Sequence, residues 1–486
     1  MKYAWLVIAI FAARFFVTAI AYPELDGDLA WQRWLGNAIA KSGAIPRALG
    51  PETFSAPGAP WLPQEWLFSL IAARCAHGFA WTLFAAAVAF CAVAALALSA
   101  WRAERRGASS LAVALCTALA GIAMLESFGV RAQVVAWPLL VLYLIALERD
   151  GPWLWSALGI AAVWSNVHAS AMLAPFLALL AASGSWADER TFGRRTRRLA
   201  LLVPASLLAI CCNPFGWHLP QYALSLFGSP IKSFISEWKV TDIDDLSFAF
   251  GALPLLLLLV ILGTRTRSGR VAQGWRDTLV FCALTGLMLA AARNVPLFAL
   301  VALPLAALQL TGSVAAFSRD TMPQSLDRFG KLGMPAVALG LAIFVAAGLL
   351  RGTASSQGQL AETAVAALEH IPGEHHVFCA DFAWCGFMVG APHIQVFLDG
   401  RADPYPPRVW NDFVAIVRLH VGWRERLRAR SVDAVIVARD APLDQALAAI
   451  AGWRSAYADR RYRLWLRSGL LSSRPGRTRT AAKTVS

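Results

Sequence analysis

The stretch YPELDGDLAWQRWLGNAIAKSGAIPRALGPETFSAPGAPWLPQEW occupies residues 22–66 and follows an apolar N-terminal run. Two carboxylates, Asp26 and Asp28, come just past the end of that run, and Glu65 opens the next one. A long loop rich in proline and tryptophan beside an apolar run is typical of an ordered, functional loop rather than a passive connector. We therefore expect the principal site of the molecule in this stretch.

Composition places the chain among polytopic membrane proteins. It has 486 residues, a mean hydropathy of +0.54 and only 15% charged residues, which is typical of that class. The net charge is +14, but the basic residues cluster in short loops between apolar runs, as the positive-inside rule requires. No basic face interleaved with aromatic residues occurs outside these loops, which excludes a nucleic-acid partner.

The apolar runs predict a polytopic α-helical membrane protein with a small C-terminal α/β domain. The segment 65–77 is too short to span and is predicted to lie at the interface. We retain the first run as a span rather than a cleaved signal peptide because Arg14 interrupts it. Eleven spans are predicted, at 3–20, 79–100, 109–126, 132–147, 153–168, 170–184, 199–212, 247–263, 277–292, 295–311 and 333–350.

The arginine-rich loops set the expected orientation. They are predicted to face the cytoplasm, so that the N-terminus lies inside and the loops 22–64 and 213–246 lie outside. The expected location is a membrane that the chain crosses several times, with the lipid bilayer as a partner. The predicted domains are a transmembrane domain at 1–350, a periplasmic α/β domain at 351–467 and a disordered basic tail at 468–486.

The C-terminal domain is predicted from three short apolar strands and four helices. Cys379 and Cys385 lie close together in it, and an oxidising compartment favours a disulfide between them. The other six cysteines lie in or beside apolar runs and are interpreted as small hydrophobic residues. The predicted strands and helices lie at 377–378, 395–398 and 434–437, and at 361–370, 407–419, 422–430 and 442–450.

The acids of the first loop are the candidate catalytic residues. Asp26 and Asp28, two residues apart, can chelate a divalent cation, or one can orient while the other removes a proton from a hydroxyl. Glu65 is a candidate acid for the same pocket. The alternative is helix capping, since Asp28 precedes a predicted helix at 29–41 and Glu65 precedes the interfacial segment.

Two arginines at the outer ends of predicted spans are candidate ligands for a donor phosphate. Arg131 stands in FGVRAQ and Arg293 in AARNVPLF. Ionisable residues at membrane depth indicate function, and arginine binds phosphate or diphosphate. The alternative is that both side chains snorkel to the lipid headgroups.

A further set of polar and aromatic residues is predicted to contact substrate. His168 ends an outward-running span and has a structural alternative as a hydrogen-bonding residue. Asp399 and Arg401 follow a strand and form either a ligand edge, a docking surface or an internal salt-bridged turn. Trp238, beside Glu237, is either an interfacial anchor or a sugar platform. The predicted substrate residues are Trp31, Gln32, Asn166, His168, Glu237, Asp399 and Arg401.

Six motifs follow one another along the chain: DGDLAWQRWLGNAIAKSGAIPR (26–47), FSAPGAPWLPQEWL (54–67), NPFG (213–216), SEWK (236–239), RNVPLF (293–298) and VFLDGRAD (396–403). In this order they resemble those of the bacterial GT-C-like (RgtA/B/C/D-like) membrane glycosyltransferases, a largely uncharacterised group. The resemblance extends from about residue 20 to about residue 465. It implies a GT-C-like transmembrane domain in the inner (plasma) membrane of a bacterium. Relatives have a histidine where this chain has Gln32.

The resemblance implies transfer of a sugar from a polyprenyl-phosphate donor to an extracytoplasmic acceptor: a glycan, a lipid or a protein of the envelope. Asp26 or Asp28 would be the base, and arginines near the outer face would hold the donor phosphate, with a divalent cation as a possible cofactor. The alternative is a non-catalytic membrane-anchored assembly or sensing protein of the cell envelope. A transporter is disfavoured because the ionisable residues lie mostly at span ends.

Overall fold

The computed structural model describes residues 3–21, 27–227, 234–265, 274–318, 363–368 and 371–468. Asp26, the predicted span at 333–350 and the tail beyond Ser468 lie outside the described residues. Two compact units are present. The first comprises Met1–Ile45 and Leu62–Thr353, and the second comprises Pro46–Trp61 and Ala354–Ser486.

The two units divide the loop 22–64 differently from the predicted domains. Residues 46–61 belong to the second unit, because they pair with its sheet rather than with the helices. The Val396 amide donates to the Glu52 carbonyl at 2.9 Å, and the Phe54 amide donates to the Val396 carbonyl at 3.3 Å. Thr53 thereby forms a parallel bridge with Val396. Local composition cannot predict backbone pairing between residues so far apart in the sequence.

The first unit is built from helices. Shorter turns of 3₁₀-helix lie at Gly151–Trp155, Ala169–Met172, Ser236–Trp238 and Ala292–Asn294, and a π-helical turn lies at Phe248–Ala252. The helices are α1 (Ala4–Ala21), α2 (Gly27–Ser42), α3 (Trp66–Arg74), α4 (Gly78–Arg105), α5 (Ser110–Ala123), α6 (Ala132–Glu148), α7 (Ser156–Val167), α8 (Leu173–Glu189), α9 (Arg194–Ala209), α10 (His218–Phe227), α11 (Leu253–Arg265), α12 (Trp275–Ala290) and α13 (Val295–Ser318).

Small residues let the helices of the first unit approach closely. Gly121 on α5 faces the ring of Phe11, so that a Cβ there would lie 2.3 Å from a ring carbon. The buried faces of α4 and α5 are rich in alanine, which is typical of helices packed within a membrane. Large buried side chains such as Trp137, Trp164 and Phe298 fill the rest of the core.

Three stretches of helix among the described residues are long and apolar enough to cross a membrane: Gly78–Arg105, Ala169–Glu189 and Ala292–Thr311. Shorter apolar helices occupy several of the other predicted spans. The total of eleven spans stays a prediction. The predicted interfacial segment at 65–77 contains α3, and α10 is a helix that the sequence analysis missed.

Helices α2 and α3 pack directly on each other and bring the two halves of the first loop together. A Cβ on Gly36 would lie 2.0 Å from the Ser69 carbonyl oxygen, so only glycine permits this approach. Leu29, Leu35 and Ile39 form the buried face of α2 at helical spacing. The contact places the start of α2 beside the residues that precede α3.

The second unit contains a mixed five-stranded sheet with the order β2-β1-β3-β5-β4. β1, β2 and β3 run parallel, whereas β5 is antiparallel to β3 and β4. A helical turn also occupies 363–368. The elements are β1 (His375–Cys379), α14 (Phe382–Cys385), β2 (Ile394–Val396), α15 (Pro407–Val417), α16 (Trp423–Ala429), β3 (Ala434–Ala438), α17 (Pro442–Ala448), β4 (Trp453–Ala458) and β5 (Tyr462–Arg467).

The three predicted strands fall at β1, β2 and β3, which carry the apolar runs. The hairpin of β4 and β5 was missed because arginines interrupt its apolar residues and most of β4 is exposed. The structure joins Cys379 and Cys385 in a disulfide, with the two Cα atoms 5.8 Å apart. It links the end of β1 to α14.

Candidate functional site

Six ionisable residues from distant parts of the first unit come together. Asp28 lies in the first turn of α2, and Glu65 directly precedes α3. Arg131 precedes α6, and His168 follows α7. Glu237 and Arg293 lie in two 3₁₀ turns. We call this set, Asp28, Glu65, Arg131, His168, Glu237 and Arg293, the carboxylate–arginine cluster.

Asp28 is the carboxyl group whose acidity the cluster changes most. Burial raises its pKa, and the negative charges of Glu237 and Glu65 raise it further. A hydrogen bond from the Trp31 indole N–H to Oδ1, at 3.0 Å, and the charge of Arg293 act in the opposite direction. The result is a pKa of about 7 instead of 3.8. Asp28 therefore exchanges its proton near neutral pH.

Glu65 is held by three side chains. Gln32 donates its Nε2 proton to Oε2, and Gln64 donates to Oε1 at 3.2 Å. The His168 Nε2 atom lies 3.6 Å from Oε1. Gln32 is 2% exposed, and its Oε1 atom accepts no hydrogen bond from any residue that the structure describes. These contacts fix Glu65 near Asp28, whose pKa it influences.

His168 is neutral in this environment. Burial lowers its pKa, and the charge of Arg293 lowers it further, to about 3. The Ser170 amide donates to Nδ1 at 3.1 Å, so the hydrogen-bond network assigns the proton of the neutral ring to Nε2. The Nε2–H group then lies on the side of Glu65. His168 thus acts as a neutral hydrogen-bonding group and does not titrate near pH 7.

Arg131 and Glu237 form an ion pair, with 3.0 Å between the NH1 and Oε2 atoms. Burial raises the pKa of Glu237, but the charges of Arg293 and Arg131 outweigh this effect and hold the pKa below its usual value. Glu237 is therefore ionised at neutral pH. Its negative charge is one reason why the pKa of Asp28 is high.

Arg293 is held in position by the ring of Trp238 and the side-chain amide of Gln133. Its guanidinium lies 4.5 Å from the centroid of the Trp238 ring, a cation–π contact. Gln133 accepts from NH2 of Arg293 and donates to its backbone carbonyl, both at 3.3 Å. The Ala292 amide donates to the Lys239 carbonyl at 3.1 Å, which joins the two 3₁₀ turns.

Asn166 lies near the cluster in sequence but has a different set of contacts. Its Nδ2 group donates to the carbonyls of Ala162 and Cys212, both at 2.8 Å. These bonds join the end of α7 to the end of α9. The arrangement shapes the backbone around His168 rather than presenting the amide to a ligand.

Asp399 and Arg401 belong to the second unit and are buried in its interior. Arg401 donates to both carboxylate oxygens of Asp399 and also to Glu52 and Thr53. The Tyr405 hydroxyl donates to Asp399 Oδ2 at 2.7 Å. This geometry is that of an internal salt-bridged turn, which holds residues 46–61 against the sheet.

Several residues of the site were not singled out from the sequence. Gln64 and Gln133 support Glu65 and Arg293, and Ser170 sets the tautomer of His168. Gln64 stands in the quoted first loop, so its place beside Glu65 was a usable signal. Ser170 lies only two residues after His168, so its position was also a usable signal. Gln133 stands in the quoted FGVRAQ, but its contact with Arg293 joins residues that are 160 positions apart in the sequence.

The cluster combines a carboxyl group that titrates near pH 7 with fixed positive charge. A carboxylate of this kind can accept a proton from a hydroxyl at neutral pH. Arg131 and Arg293 can stabilise negative charge on a phosphate. Among the described residues, no group of three or more histidine, cysteine, aspartate or glutamate side chains is arranged to hold a metal ion. A divalent ion at Asp26 and Asp28 stays a prediction, since Asp26 is not described.

The fold of the chain is similar to that of several solved structures. No protein-family model and no curated protein sequence matches it. The oligosaccharyltransferase AglB of Archaeoglobus fulgidus, in complex with an inhibitory peptide and a dolichol-phosphate, is similar in structure. The TM-score is 0.57 at 12% identity, over 89% of this chain and 69% of that one.

ArnT of Cupriavidus metallidurans in the apo state is also similar. Its TM-score is 0.50 at 15% identity, over 95% of this chain and 97% of that one. A second AglB structure, in the apo form, gives a TM-score of 0.51 at 13% identity. The identities are low, so these similarities show that this chain shares the fold of AglB and ArnT.

Proposed function

We propose that the protein is a membrane glycosyltransferase that moves a sugar from a polyprenyl-phosphate donor to an acceptor outside the cytoplasm. The observation that carries this proposal is the pKa of about 7 at Asp28, in a cluster that also contains two arginines. A general base works best when its pKa lies near the operating pH. The fold supports the proposal, because AglB and ArnT share it.

In the proposed reaction Asp28 is the base. Its carboxylate takes the proton of an acceptor hydroxyl, the resulting nucleophile attacks the anomeric carbon, and the bond from that carbon to the phosphate oxygen breaks. The leaving phosphate gains negative charge, which Arg131 and Arg293 stabilise. Their existing partners, Glu237 and Trp238, keep both guanidinium groups in place before the donor arrives.

Glu65 and His168 have supporting roles in this proposal. Glu65 raises the pKa of Asp28 and is held by Gln32 and Gln64. His168 stays neutral and contributes its Nε2–H group as a hydrogen-bond donor. Trp31 restrains Asp28 through its indole N–H. We propose no substrate contact for Asp399 and Arg401, whose side chains are occupied within the second unit.

The donor part of the proposal is tested by native mass spectrometry of the protein purified in mild detergent. We expect the wild type to retain a polyprenyl-phosphate sugar, which also identifies the donor. The Arg131→Gln/Arg293→Gln double variant should lose this lipid, whereas Asp28→Asn should retain it, because the base is not needed for binding. Arg408→Gln/Arg418→Gln, which removes two exposed arginines of the second unit, is the matched charge control.

Retention of the same lipid by the Arg131→Gln/Arg293→Gln variant would contradict the assignment of these arginines. Only ordinary phospholipid in every sample, including wild type incubated with polyprenyl-phosphate sugars, would contradict the proposed donor. It would favour the non-catalytic role instead.

A further inference from the structure

The second unit has an open groove of about 540 Å³ on its surface. Its walls are formed by α16, the turn between α17 and β4, and the end of β5. This volume falls within the range of about 300–1,000 Å³ that is usual for small-ligand sites. The groove contains none of the residues of the carboxylate–arginine cluster.

The charge of the groove is positive. Arg424, Arg428 and Arg467 line it, and no acidic residue is among the described residues that do so. None of these three arginines takes part in an ion pair between described residues. Arg424 and Arg428 are four residues apart, so they share one face of α16. That face therefore presents uncompensated positive charge to the groove.

A second arginine pair serves as an internal comparison. Arg426 and Arg430, also four residues apart, both pair with Asp412 on α15. The same short segment thus carries one arginine pair that fastens it to the unit and one that lines an open surface. The ion pairs with Asp412 explain the first pair, whereas Arg424 and Arg428 form no ion pair among the described residues.

Two tryptophans accompany the charges. Trp423 and Trp453 line the groove. Trp423 is 8% exposed and has the guanidinium of Arg424 5.4 Å from its ring centroid, whereas Trp453 is half-buried. The electron-rich face of an indole attracts positively polarised C–H groups, and a sugar ring presents several such groups on one face. Arginine binds carboxylate and phosphate groups. Together these residue types match a sugar that carries an anion.

The chain's own C-terminal tail is a poor occupant. Ser468 lines the groove, and the tail that follows carries Arg474, Arg477, Arg479 and Lys483 with no acidic residue. Like charges repel, so the tail is not attracted to the arginines.

We propose that this groove is a binding site for acidic carbohydrate, in which sugar rings bear carboxylate or phosphate groups. The arginines bind the anionic groups, and Trp453, which is half-buried, contacts the ring faces. The site goes beyond the proposed transfer reaction, because binding here requires neither Asp28 nor a lipid-linked donor.

Equilibrium binding of an oligogalacturonate of about six residues to the full-length protein in detergent tests the proposal. We expect saturable binding that weakens with salt. Arg424→Gln/Arg428→Gln should weaken it at least tenfold, since two charge-assisted contacts are lost. The charge-matched control Arg408→Gln/Arg418→Gln, outside the groove, should change it less than twofold. Asp28→Asn should bind like the wild type, which separates this site from the transferase proposal.

Comparison probes identify the ligand class. A neutral malto-oligosaccharide of equal length should bind at least tenfold more weakly, and inorganic phosphate should compete only at much higher concentration. The proposal is overturned if oligogalacturonate does not bind, if the groove and control variants weaken binding equally, or if the neutral sugar binds as well. Tighter binding of a single-stranded oligonucleotide or of anionic lipid vesicles would also overturn it.

Discussion

The carboxylate–arginine cluster and the Asp399–Arg401 turn both contain carboxylates and arginines, but the charges are neutralised to different extents in the two regions. In the turn, Arg401 is 2% exposed, and Asp399, Glu52 and Thr53 satisfy it. In the cluster, Asp28 has two carboxylate neighbours that raise its pKa. The turn therefore neutralises its charges within the fold. In the cluster, the surroundings of Asp28 disfavour the ionised form of its carboxyl group.

This difference separates a structural site from a functional one. A buried ion pair with saturated hydrogen bonds has no capacity left for a ligand. A carboxyl group with a pKa near 7 is poised to exchange a proton, and such perturbed groups concentrate at active sites. Asp28 is therefore where we expect chemistry, and Arg401 is where we expect stability.

Replacing Asp28 should have the largest effect on activity. Asp28→Asn removes the base and should lower the transfer rate by about 10²–10⁴-fold. Stability should not fall, because the fold favours the protonated carboxyl group and the neutral amide resembles it. Transfer in membranes and thermal unfolding of the purified variant check both parts. Asp244→Asn, an exposed acid of the same unit, should retain full activity.

Replacing Arg401 should lower the stability of the second unit, whereas replacing Asp28 should lower activity alone. Arg401→Met leaves Asp399 and Glu52 without their cation and should destabilise the second unit by about 3–5 kcal/mol. The double variant Arg401→Met/Asp399→Asn should recover part of this loss, because it removes both charges of the pair. Limited proteolysis and thermal unfolding measure the change, with Arg408→Met as the exposed control. Equal stability of wild type and Arg401→Met would remove the basis of the comparison.

The smallest expected effect is a shift in the pH dependence of the transfer activity in the Glu237→Gln variant. Activity should rise between about pH 6 and pH 8, because the ionised form of Asp28 is the active one and its pKa is about 7. Glu237 raises that pKa, so Glu237→Gln should move the rise to lower pH, by up to about one unit. His168 should not contribute, since its pKa is about 3. A pH–rate profile that stays unchanged, or moves to higher pH, in Glu237→Gln would contradict the role of Glu237.

The sequence was sufficient to nominate all six members of the carboxylate–arginine cluster one by one. Ionisable residues are conspicuous at the ends of apolar runs, where Asp28, Glu65, Arg131, His168 and Arg293 stand. Glu237 was nominated beside Trp238 in the predicted outer loop 213–246. The sequence did not show that the six residues lie together. The elements that carry them, among them α2, α6, α7 and the two 3₁₀ turns, meet only through tertiary packing. The raised pKa of Asp28 follows from that arrangement and has no local signal.

The sequence also contained no sign that residues 46–61 of the first loop belong to the second unit. Residues 46–61 contain prolines and small residues that give no strand pattern, yet Thr53 pairs with Val396 and Glu52 with Arg401. From the sequence, the DGRAD motif at 399–403 allowed a ligand edge, a docking surface or an internal salt-bridged turn. The contacts of Arg401 with the distant residues Glu52 and Thr53 identify the salt-bridged turn.

The most direct test of the central claim is a comparison of membrane lipids from cells that lack this protein and carry the wild type, Asp28→Asn or Asp244→Asn. If Asp28 is the base of a glycosyl transfer, the Asp28→Asn cells should accumulate an unused polyprenyl-phosphate sugar, as cells without the protein do. The wild-type and Asp244→Asn cells should consume it. Identical lipid profiles in all four strains would contradict the account.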